Sequence, residues 1–85
     1  MDVRIEVIRL LDDVLHLGGR AAVFNDNTVL MGGVPELDSM AVVTLISAFE
    51  DRFGFAIDDD EIDGAIFATL GSLTNFVATK LSSGT

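Results

Sequence analysis

Eighty-five residues leave room for one small domain, and an apolar fraction of 49% is ample for its core. The formal charge of −9, from 14 acids against 5 bases, argues against a nucleic-acid binder, because phosphate contacts need Lys and Arg. The absence of Cys excludes disulfides and Cys-based zinc sites, and no apolar run approaches the roughly 18–20 residues of a membrane span.

The N-terminal stretch MDVRIEVIRLLDD alternates charged and apolar residues, unlike a secretory leader, and reads as cytoplasmic. Val3, Val7, Leu10, Leu11, Val14 and Leu15 recur at helical spacing, with Ile5 and Ile8 widening the stripe, and predict a helix over 3–17. Gly18 and Gly19 supply its stop. Residues 18–38 carry a pattern compatible with a hairpin, but a lone hairpin is marginal. The preferred reading is a long, mobile loop pinned to the core by Phe24, Leu30 and Val34.

Val42, Leu45, Ile46, Phe49 and Phe53 then define the buried face of a second helix over 39–53, with Ser39 or Asp38 as its N-cap and Gly54 as its end. FAIDDDEIDG predicts a turn and a short acidic helix, and Thr69 caps a last helix whose stripe is Leu70, Leu73, Phe76, Val77 and Leu81. The tail is expected to be loose from about residue 82. The expected fold is all-α: a single domain over 1–85, a small four-helix bundle of three main helices plus a short third one, with a long loop between the first two.

Ser39, between Asp38 and Met40 at the head of an apolar helix, is the residue with chemistry to explain. A nucleophilic serine needs a base, and His16, the sole His, sits at the far end of another helix, where a helix-end cation is the simpler role. No Gly-x-Ser-x-Gly elbow is present, so no catalytic residue is assigned. The acidic run fails as a calcium loop. Counting from Asp59, the acids fall at Asp59, Glu61 and Asp63 with Gly64 following, but the twelfth position is Leu70 where a bidentate Glu is needed. A solvated acidic surface is the simpler reading, and no metal site is assigned.

Asp38-Ser39-Met40, heading SMAVVTLISAFEDRF, resembles the Asp-Ser-Leu signature of acyl carrier proteins. The similarity runs the length of the chain, through FGFAIDDDEI and the IFATLGSL lead into the last helix. It implies a non-catalytic carrier. Ser39 would be esterified with 4′-phosphopantetheine, taken from coenzyme A by a separate phosphopantetheinyl transferase, with Asp38 and Met40 as flanks of the attachment motif. The arm's thiol would hold acyl groups as thioesters. The physical reading agrees: a phosphodiester at a helix N-terminus meets free N–H groups and the positive end of the dipole.

The resemblance also implies a docking face on the second helix, here Met40, Ala41, Thr44, Ser47, Glu50 and Asp51. Relatives carry acids at positions matched by Ala41 and Thr44, so this face is milder and more apolar. Expected partners are acyl-loading and acyl-transferring enzymes with basic or mixed apolar patches, serving a dedicated biosynthetic set rather than general fatty acid synthesis. PELDSMAVV and FATLGSL are similar to carriers of bacterial exopolysaccharide or exosortase loci. Ile46, Phe49, Ile57 and Phe67 either line a space for the acyl chain or simply fill the core. A monomer is expected. The alternative function is an unmodified acidic helical adaptor.

Overall fold

The computed structural model describes residues 2–83. Three α-helices occur among them: α1, Val3–Leu15; α2, Ser39–Phe53; and α3, Leu70–Ser83. Two 3₁₀ turns, Arg20–Val23 and Asp59–Glu61, complete the regular structure. The fold is all-helical as expected. The short acidic helix is narrower than predicted, a single 3₁₀ turn, so the arrangement is a three-helix bundle with two turns. Helix α3 also runs on through Ser82 and Ser83, into the expected tail; the rest of that tail, 84–85, lies outside the described residues.

Each helix starts on a side-chain cap. The Asp2 carboxylate accepts from the Ile5 N–H, and the Asp38 carboxylate from the Ala41 N–H. Before α3, Thr69 and Ser72 cap reciprocally: the Ser72 N–H donates to the Thr69 hydroxyl and the Thr69 N–H to the Ser72 hydroxyl, each at 3.1 Å. Helix α1 ends two residues earlier than its apolar pattern implies. His16 takes the left-handed conformation, φ 55°, and its N–H donates to the Asp12 carbonyl. The Asp12 carboxylate then accepts from the N–H groups of Gly19 and Ala21, which fixes the exit. The glycines follow the stop rather than make it.

Helix α1 packs against both α2 and α3. Val7 and Leu11 of α1, Leu45 and Phe49 of α2, and Leu70, Leu73 and Val77 of α3 are fully buried in one core. Glu6 is buried with them; it pairs with Arg52 at the end of α2 and, at 3.6 Å, with Arg9. That pair sets the first turn of α1 beside the last turn of α2.

The connection over 18–38 is not a hairpin; it is tied to the core and to the chain before α3. Leu30 and Val34 pin it as predicted, and Phe24 is half-buried, but Leu17, Ala21 and Leu37 are buried too. Its backbone is laced onto the chain just before α3. Leu30 N–H donates to Ala68 O at 2.9 Å, Met31 N–H to Phe67 O at 3.0 Å, and Leu70 N–H to Thr28 O at 3.0 Å. Gly33 lies so close under this segment that a Cβ there would sit 2.2 Å from the Val29 carbonyl oxygen, so any side chain would force the backbone to move.

Candidate functional site

The N-terminus of α2 settles which of two neighbours is the cap. Asp38 has extended backbone and its carboxylate accepts from the Ala41 N–H at 2.8 Å. Ser39 is therefore the first helical residue, exposed, and its hydroxyl makes no hydrogen bond to the described residues. The N–H groups of Ser39 and Met40 precede the first intrahelical bond, which runs from Val42 N–H to Asp38 O at 3.0 Å. A free hydroxyl thus stands among open N–H donors at the positive end of a fifteen-residue helix, a setting that suits an ester carrying negative charge.

From Ser39 the exposed face of α2 descends through Met40, Val43, Thr44, Ser47 and Asp51, with Ala41 half-buried at its edge. Met40 is 74% exposed and Val43 60%, high values for apolar side chains. Val43 was not among the docking residues expected from sequence. It sits three residues from Met40, and helical spacing includes i+3 as well as i+4. The Thr44 hydroxyl turns back to the Met40 carbonyl at 3.1 Å. Glu50 is half-buried and its carboxylate accepts from the Ile57 N–H at 2.8 Å, so it staples the turn after α2. Asp51 alone on this face offers an exposed carboxylate without an ion pair among the described residues.

All five Lys and Arg are held in internal ion pairs: Arg4 with Asp26, Arg9 and Arg52 with Glu6, Arg20 with Glu36, and Lys80 with Glu61. Among the described residues no Lys or Arg is left without an ion pair, and the formal charge of the chain is −9. Lys80 crosses from α3 to the second 3₁₀ turn, its ammonium 2.7 Å from the Glu61 carboxylate, which also accepts from the Asp58 N–H at 2.8 Å. These bonds, Lys80 first and Asp58 second, hold the Glu61 carboxyl below its ordinary value of 4.5. A carboxyl with a depressed folded pKa contributes stability that is complete above 4.5 and fades as pH falls through the lower folded value. Lys80→Met should therefore lower stability at neutral pH and flatten the loss of stability in that acid window. Urea titrations from neutral pH to below 4 are the check, and unchanged acid dependence would count against the tether. Among the described residues no group of three or more His, Asp or Glu is placed to hold a metal ion.

Of the residues expected to meet an acyl chain, Phe49, Ile57 and Phe67 are buried at 0%, 8% and 3% exposure, and Ile46 is half-buried against the same core.

A family model described as "Phosphopantetheine attachment site" matches residues 5–77. Among solved structures, the chain is similar to a holo acyl carrier protein from Nitrosomonas europaea, with 51% identity, a TM-score of 0.89, and coverage of 96% of this chain and 99% of that one. No curated protein matches the chain.

Proposed function

Because the chain belongs to the phosphopantetheine attachment site family, a family of non-catalytic carriers that a separate phosphopantetheinyl transferase loads with covalent 4′-phosphopantetheine, we propose that it is an acyl carrier protein whose attachment point is Ser39. The observation that carries this reading is the division of labour at α2: Asp38 caps the helix, which leaves the Ser39 hydroxyl exposed and unbonded. In the transfer, the Ser39 Oγ attacks the pantetheine-side phosphorus of coenzyme A. The new bond is Oγ–P, adenosine 3′,5′-bisphosphate leaves, and the hydroxyl proton passes to a base of the transferase. The chain supplies the oxygen and an anion-favouring helix end, while the transferase supplies the catalysis, which is why the lack of a base beside Ser39 is no obstacle. The bound arm supplies a thiol, and with no Cys in the chain no protein thiol competes for the acyl group.

The partners are the transferase and a dedicated set of acyl-loading and acyl-transferring enzymes. Ala41 and Thr44 leave the upper part of the α2 face without acids, and exposed Met40 and Val43 make it apolar. A matching docking patch combines an apolar centre with a basic rim toward Asp51. Among the described residues no helix is long and apolar enough to cross a membrane. Incubation with coenzyme A and a transferase should raise the intact mass by one phosphopantetheinyl group, and peptide mapping should place it on Ser39. Addition at another serine, or none with several transferases, would overturn the proposal and favour an unmodified adaptor.

A further inference from the structure

The chain has no Cys and three Met, so before an arm is attached its thioethers are the sulfur atoms an oxidant meets. Two of them lie among the described residues, in different settings. Met31 is 41% exposed, in the connection tied to the chain before α3, and its N–H donates to Phe67 O. Met40 is 74% exposed, in the first turn of α2 and directly after Ser39. A thioether reacts with a peroxide through a sulfur lone pair, so reaction follows access to the side chain. Met40 is the more open of the two. Its surroundings give the reaction a consequence. Val43, three residues on and 60% exposed, and half-buried Ala41 are its apolar neighbours on the α2 face. An oxygen added at Met40 therefore lands in the apolar centre of that face, beside the attachment hydroxyl.

We propose that, within the carrier reading above on which this rests, Met40 is a reversible oxidation site that governs recognition of Ser39 by the loading transferase. The oxidant is a peroxide. The Met40 Sδ lone pair attacks one peroxide oxygen, and an S–O bond forms as the O–O bond breaks. The other oxygen takes up the proton of the transferred one and leaves as water or an alcohol. Sulfur is oxidised by two electrons and the peroxide is reduced. The resulting sulfoxide is polar where the thioether was apolar. Its oxygen must shed water when an apolar docking patch covers it, and that costs affinity. A thiol-dependent sulfoxide reductase reverses the change: the oxygen leaves as water and two thiols become a disulfide. The fold is spared, because the cap of α2 belongs to Asp38 and the Met40 side chain is largely in solvent. The device acts on the unloaded chain, since an attached arm adds a thiol that competes for the oxidant.

The test treats the full, unloaded chain with hydrogen peroxide, removes the oxidant with catalase and desalting, and locates the added oxygen by peptide mass mapping. Loading from coenzyme A by a phosphopantetheinyl transferase is then timed by intact mass. Met40 should gain its oxygen before Met31, and kcat/KM for loading should fall about tenfold, equivalent to about 1.4 kcal/mol. A sulfoxide reductase with dithiothreitol, both removed before the assay, should restore the untreated rate, and the circular dichroism spectrum should stay the same throughout. Met31→Leu protein should lose rate on peroxide treatment as the parent does. Met40→Leu protein, compared with its own untreated form, should lose none. Oxygen on Met40 with no fall in loading, an equal fall in the Met40→Leu protein, or Met31 reacting first would overturn the oxidation site. Untreated chain that gains no mass would instead overturn the carrier reading itself.

Discussion

Ser39→Ala protein, given coenzyme A and a phosphopantetheinyl transferase, should gain no mass, while its melting temperature stays within about 4 °C of the parent. The loss is complete because no other oxygen nucleophile replaces an Oγ removed at the attachment point. The stability is kept because the Ser39 hydroxyl does nothing for the fold: it is exposed, bonded to no described residue, and the cap belongs to Asp38. Alanine is also the best helix former, and Ser39 occupies the first helical position. The contrast with Asp38→Ala separates the two residues. That change removes the acceptor of the Ala41 N–H and should cost about 1 kcal/mol, read as a lower urea midpoint with an unchanged slope. A Ser39→Ala protein that still gained the full mass would move the attachment point elsewhere. One that unfolded would show that the hydroxyl is structural after all.

The α2 helix was legible in full because its signals are local. A capping acid, an apolar stripe and Gly54 in the left-handed conformation, φ 74°, bound residues 39–53 in sequence and in space. What local pattern could not resolve was which of Asp38 and Ser39 caps, since both are good caps and only geometry chooses. Helix α1 was overrun because Leu17 continues the apolar spacing, yet it is buried from a position past the helix end. The anchoring of the long connection was hidden for a different reason. Its ties to 67–71 are backbone hydrogen bonds, and those leave no mark in side-chain identity. Glu50 shows the same limit for the site. An acid near a helix end reads as a docking charge, and only the fold brings the Ile57 N–H to it.

Phe49→Ala should be the most damaging single change to stability, about 3–5 kcal/mol by the usual cost of emptying a buried aromatic site. Phe49 is fully buried at the centre of the α2 face, 6.2 Å from the Phe53 ring and in one cluster with Leu11 of α1 and Leu73 of α3. A domain of this length holds a net stability of roughly 4–13 kcal/mol, so the substitution removes a large part of it. Its buried neighbours, Leu45 and Leu73 among them, leave little slack for collapse into the void, which favours the upper part of the range. The functional consequence follows from where Phe49 sits. It anchors the helix that presents Ser39, but it contributes nothing to the attachment end itself. Loading of the variant by a transferase should therefore be near normal in the cold, where the folded fraction is high, and should fall with temperature in step with unfolding followed by circular dichroism. Loading that is lost while the helix signal persists would assign Phe49 a part in presenting the serine beyond holding α2 in place.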